Sequence, residues 1–243
     1  MSRLRRPSPV AVCLFGGAVC LLAACGGPRA GIPPTTGESG PHVVQGGGGN
    51  VKAATLEVVN GATAVTVSSR SLAGDLYRVS TPVGSGIRPL ATWHGHTVLV
   101  GDTGTRQTTQ VPSIDVELAR GVRWTVDLEG GATTETVNMG DGSLSSLTFG
   151  AGVSLASVRL PTAVGTQTVT LAGGASQLVI VAPPGAPARV DAVGGASRIL
   201  LDGVDHTGVA GGSVFSDPGW AASTDRYTID LTSGVSDFRM TRS

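Results

Sequence analysis

A short unit recurs along this chain, and it limits what the chain can fold into more than anything else does. A glycine followed by a small residue and a hydroxyl appears as Gly131-Ala132-Thr133, Gly152-Val153-Ser154, Gly174-Ala175-Ser176, Gly195-Ala196-Ser197 and Gly234-Val235-Ser236, with Gly212-Ser213-Val214 a looser member. Successive glycines lie 21, 22, 21, 17 and 22 residues apart. Gly61-Ala62-Thr63 opens a similar unit, and between Gly61 and Gly131 the period is blurred. A unit this short cannot bury its own apolar side and must stack on its neighbours.

The residues between the glycines name the element that stacks. Leu56-Glu57-Val58, Val65-Thr66-Val67, Ile114-Asp115-Val116-Glu117-Leu118, Val122-Arg123-Trp124-Thr125-Val126-Asp127-Leu128, Val169-Thr170-Leu171 and Tyr227-Thr228-Ile229-Asp230-Leu231 alternate apolar and polar. Period two marks half-buried strands. No window of helical length after residue 24 carries a 3.6-residue apolar stripe. The expectation is an all-β, single-domain β-solenoid or β-helix-like stack with rungs of about 21 residues over residues 51–243. Each corner is expected to use a glycine for its backbone angles, around a narrow core of Val, Leu, Ile and Ala. A β-sandwich of regularly spaced hairpins is the competing architecture.

Composition agrees and excludes several classes. Aromatics are 4% and charged residues 14%, whereas Gly is 37 of 243. Forty per cent hydrophobic residues at a formal charge of 0 do not describe a disordered chain. The same balance leaves no basic excess for phosphates, so nucleic acid is not an expected partner.

The N-terminus reads as an address. Arg3, Arg5 and Arg6 precede an apolar stretch over residues 10–22 that is too short to span a bilayer. It ends in Leu22-Ala23-Ala24-Cys25, which resembles the lipobox of bacterial lipoproteins. That resemblance implies a signal peptide over residues 1–24, lipidation of Cys25, and a membrane partner reached through the lipid on the extracytoplasmic face. Residues 25–50, with Pro28, Pro33, Pro34, Pro41 and Gly46-Gly47-Gly48-Gly49, read as a flexible tether of about 25–30 Å typical reach. Cys13 and Cys20 fall in the removed segment, so the domain keeps no thiol for a disulfide or a metal. Removing three arginines leaves 14 basic against 17 acidic residues, a net charge of −3.

Residues 124–243, with their Gly-Gly-Ala corners, the Val158-Arg159-Leu160-Pro161 strand end and the final Gly234-Val235-Ser236-Asp237-Phe238-Arg239-Met240 run, resemble the toastrack-like, adhesin-type β-solenoid domains of bacterial envelopes. The resemblance implies a non-enzymatic scaffold that binds a cell-wall polymer or an envelope protein. It transfers no site residue.

Reactive groups are sparse. His94-Gly95-His96 is either half of a metal site on one strand face or two solvent-facing histidines beside Trp93. Asp202, Asp205 and His206 offer too few ligands for calcium and read as a polar turn. Trp220 is expected to cover the last rung or to serve as a ligand platform. No Gly-x-Ser-x-Gly elbow, P-loop or dinucleotide fingerprint occurs, and no cofactor is expected. The alternative function is a polysaccharide-active β-helix enzyme, for which Glu135, Asp191 and Asp237 are the candidate carboxylates.

Overall fold

The computed structural model describes residues 42–104 and 110–243. Among them lie nineteen strands and a single 3-10 turn, Trp220–Ala222. In chain order the strands are β1 (Val43–Gly46), β2 (Ala53–Val58), β3 (Ala64–Arg70), β4 (Tyr77–Ser80), β5 (Ile87–His94), β6 (Thr97–Gly104) and β7 (Ser113–Ala119). There follow β8 (Arg123–Leu128), β9 (Ala132–Asn138), β10 (Ser143–Phe149), β11 (Val153–Arg159), β12 (Thr166–Leu171) and β13 (Ala175–Ala182). The last are β14 (Ala188–Ala192), β15 (Ala196–Leu201), β16 (Val204–Val209), β17 (Ser213–Ser216), β18 (Arg226–Leu231) and β19 (Val235–Arg242).

Each rung is two strands that go to opposite sheets, and in every rung but β6–β7 a glycine corner joins them. One sheet has ten strands in the order β1-β4-β7-β3-β9-β11-β13-β19-β15-β16; the other has nine in the order β17-β14-β18-β12-β10-β8-β2-β6-β5. Neighbouring rungs pair in parallel and the outermost strands pair antiparallel. The chain is therefore an all-β stack of rungs, as its period implies.

The stack does not follow chain order. The rung β2–β3 sits between β6–β7 and β8–β9, and the final rung, β18–β19, sits between β12–β13 and β14–β15. Both ends are built alike: the chain skips one position, turns back at the cap, and fills the gap with another rung. This explains the irregular spacings. Gly212 lies in the turn between the cap strands β16 and β17 rather than at a rung corner, and the blurred stretch after Gly61 contains the cap strands β4 and β5.

The corner glycines are needed mainly for contact. A Cβ on Gly61 would run into the carbonyl oxygen of Gly131, and one on Gly173 into the backbone of Ala151. Successive corners thus stack backbone against backbone. Gly174 and Gly195 also use positive φ, of 76° and 73°, but Gly131 and Gly152 do not, which narrows the expectation that every corner needs glycine for its angles.

The core lies between the sheets and follows the period-two pattern strictly. Along β8, Trp124, Val126 and Leu128 are buried while Arg123, Thr125 and Asp127 are not. The core accepts rings more readily than its composition suggests: Trp124, Phe149, Tyr227 and Phe238 are all fully buried. Small neighbours in register make the room, Ala54 beside Trp124 and Ala188 beside Tyr227. Each polar ring atom is satisfied, with the Trp124 indole donating to the Ala119 carbonyl at 3.0 Å and the Tyr227 hydroxyl to the Pro161 carbonyl at 2.9 Å.

The fold begins before residue 51. Val43–Gly46, assigned above to the tether, forms β1, an edge strand antiparallel to β4. Its ends are fixed by backbone bonds from Leu76 N–H to Gly46 and from Thr81 N–H to His42. Two valines and a strand edge to pair with outweigh the glycines that follow.

Candidate functional site

The three candidate carboxylates do not meet. Glu135 points inward from β9 and is 1% exposed. Its register neighbours are Val65 and Ala156, and its Oε2 has no hydrogen-bond partner. Burial pushes its carboxyl up to about 8, so it is neutral over most of the acid range. Asp237 is on the outer side of the same sheet, held by Arg239 at 2.7 Å, and that bond lowers its pKa. Asp191 lies on the other sheet, bonded to Arg189 at 2.8 Å. A glycosidase needs two carboxyls flanking one bond, and these three occupy a core and two separate surfaces.

The histidine and tryptophan candidates also have structural places. His94 ends β5 and His96 lies in the tight loop to β6, where Gly95 has φ 61°, so the two imidazoles do not share a strand face. Asp202-Gly203 is the two-residue turn joining β15 to β16, with φ of 45° and 90°, the hairpin geometry that Asp-Gly favours. Asp205 then pairs with Arg198 at 2.8 Å, and His206 turns inward against Phe215 with centroids 4.5 Å apart, closing that end of the core. Trp220 does not cover the end. Its indole donates to the Tyr227 carbonyl at 2.9 Å, and its ring takes the guanidinium groups of Arg226 and Arg189 at 4.5 and 5.0 Å. Among the described residues no three His, Cys, Asp or Glu side chains converge as a metal site. Cys25 lies outside the described residues.

What the fold does build is two broad outer faces. On the nine-stranded sheet the register sets Thr97, Thr55, Thr125, Ser146, Thr168, Thr228 and Arg189 in one row across the strands. A second row beside it runs Leu99, Glu57, Asp127, Thr148, Thr170, Asp230 and Asp191. Steps along each row are about 4.8 Å. The face of the ten-stranded sheet carries opposite charges set against one another: Glu117 meets Arg70 and Arg78 at 3.8 and 4.0 Å, Asp237 meets Arg239, and Asp205 meets Arg198. Period-two alternation sends polar side chains outward on both sheets but does not separate the two faces in this way. The Thr-x-Glu and Thr-x-Asp triplets at 55–57, 125–127 and 228–230 carried the signal.

The architecture has a solved counterpart. A crystal structure of a "putative cell adhesion protein" from Clostridium sporogenes superimposes with a TM-score of 0.60 over 83% of this chain and 98% of that one, at 11% sequence identity. At that identity the likeness is one of fold. A second structure, of a "putative adhesin" from Bacteroides fragilis, covers 82% of this chain and 96% of its own at 11% identity, but its TM-score of 0.27 supports no comparison. No family model and no curated protein matches the chain.

Proposed function

We propose that the protein is a lipid-anchored, non-enzymatic adhesin-type scaffold of the bacterial envelope, held to the outer side of the cytoplasmic membrane through Cys25 and binding a cell-envelope polymer or protein through its outer sheet faces. The observation that carries this reading is the pair of outer sheet faces, whose polar side chains are fixed in rows by parallel register while the candidate reactive carboxylates are kept apart. The fold shared with a "putative cell adhesion protein" supports the adhesin-type part. The Leu22-Ala23-Ala24-Cys25 motif supports the anchor.

Two experiments test the reading. Cys25→Ser is expected to release the protein from the membrane fraction, and retention would contradict the anchor. Detergent-solubilised protein mixed with isolated sacculi is expected to sediment with them and to leave the glycan intact by mass spectrometry. New glycan fragments would establish an enzyme instead.

A further inference from the structure

The nine-stranded face differs from its opposite in one respect that geometry alone does not require. Glu57 and Asp127 are direct cross-strand neighbours, and so are Asp230 and Asp191. Like charges opposite one another destabilise a sheet. On the other face arginines relieve Glu117, Asp205 and Asp237, whereas among the described residues no arginine forms an ion pair with Glu57 or Asp127. At the second pair, the single arginine in reach, Arg189, gives its Nε and Nη2 bonds to Asp191 and stacks on Trp220. Asp230 is left beside it with its carboxyl pushed up by burial and by Asp191, and Arg189 opposes this only in part. Between the two pairs lie only hydroxyls, Ser146, Thr148, Thr168 and Thr170. Asp127 and Asp230 are three strand steps apart, about 14 Å.

A partner complementary to this face is extended, crosses the strands, carries positive charge at intervals, and is otherwise rich in groups that bond to hydroxyls. We propose that the outer face of the nine-stranded sheet docks a linear glycan bearing free amino groups, with amines at the Glu57–Asp127 and Asp191–Asp230 pairs and sugar hydroxyls on the Ser and Thr rows between them. This rests on the envelope-polymer reading above and assigns it a face and a ligand chemistry. Amines of the glycan take the place of the arginine partners that Glu57 and Asp127 do not have among the described residues, and regular strand spacing sets the hydroxyl rows at even intervals between the two acidic pairs. The mature net charge of −3 favours approach of a polycation.

The test uses detergent-solubilised full-length protein and glucosamine oligomers, with N-acetylglucosamine oligomers of equal length as the uncharged comparison, in a calorimetric titration. Binding is expected for the amine form and to weaken at least tenfold in E57Q/D127N, on N-acetylation, and in 0.5 M salt. D115N, which alters the opposite face, leaves it unchanged. Because E57Q/D127N removes a repulsion, its melting temperature is expected to stay level or rise, which separates lost binding from lost folding. No binding by the wild-type protein, equal binding of the acetylated oligomer, or undiminished binding by E57Q/D127N would overturn the proposal. Sedimentation with sacculi without binding to the amine oligomers would overturn it and leave the envelope-polymer reading standing. Failure of both would remove both.

Discussion

The middle of the stack and its two ends are made of the same rung but assembled differently. From β8 to β13 the chain climbs one rung at a time, each strand pairing with the strand two further along. At both ends that rule breaks, and a rung distant in sequence is threaded between neighbours. A simple solenoid ends in a rung touching others on one side only, where fraying starts. Here the chain's last rung has neighbours on both sides, and its Tyr227, Ile229, Leu231, Phe238 and Met240 are all at most 1% exposed. The antiparallel strands β16, β17, β4, β5 and β1 then cap the open edges, with Pro89 on the edge strand β5 removing one donor from further pairing. The same repeat can thus be an extendable stack or a closed domain, depending only on where its terminal rungs are placed.

The largest test of this difference is to remove the threaded rung. A chain ending at Thr224 leaves a gap inside both sheets, and circular dichroism with urea titration is expected to show no cooperative unfolding. A terminal rung that merely lay on the end would leave a folded, weaker domain.

Glu135 probes the regular middle. Its carboxyl titrates near 8 when folded and near 4.5 when unfolded. The unfolded chain therefore loses that proton first as pH rises, and stability falls progressively between about 4.5 and about 8 and then levels off, by up to about 5 kcal/mol. Urea midpoints across that range are expected to fall for the wild-type protein and to flatten in Glu135→Leu. An unchanged slope would mean that the carboxyl is not held neutral in the core.

Glycines separate the two regions next. Gly173→Ala, at a corner of the middle stack, drives a methyl into the Ala151 backbone and is expected to cost about 1–3 kcal/mol. Gly203→Ala, in the β15–β16 hairpin, has open space around it and a φ of 90°, so only backbone strain of about 1 kcal/mol is expected. Reversed sizes would mean that corner stacking is looser than it looks. The smallest effect belongs to the outer face: Arg239→Ala, which loses a partly exposed pair with Asp237, is expected to cost no more than about 1 kcal/mol.

The middle was legible because its determinants are local. Period two places Trp124, Val126 and Leu128 inward, and the 21-residue spacing places one corner over the next. The ends were not legible, because the choice of neighbour for β18 or β2 is made between surfaces that all offer Val, Leu and Thr in the same alternation. Register identifies a face, but it does not identify which rung lies beside it. The tether boundary was misplaced for a related reason: Val43-Val44 is too short to show a period, and only the edge of β4 makes it a strand. Trp220 was singled out correctly as unusual, yet its arginine partners come from Arg189, 31 positions earlier, as well as from nearby Arg226. Of the outer face, the hydroxyl rows could be read from Thr-x-Thr spacing. The juxtaposed acidic pairs could not, since Glu57 and Asp127 meet only because β2 is the rung threaded beside β8.

The most direct test of the threading is disulfide trapping, since the only cysteines lie at positions 13, 20 and 25. Asp237 on β19 is in register with Gln177 on β13 and with Arg198 on β15, one strand away on either side. Cysteine pairs at 177/237 and at 198/237 are therefore within bridging distance, whereas 177/198 spans two strand spacings, about 9.6 Å, beyond the roughly 7 Å limit. Oxidation is expected to crosslink the first two pairs quantitatively and the third not at all. Efficient crosslinking of 177/198, with none at 198/237 or 177/237, would mean that the rungs stack in chain order and that the closed-end account is wrong.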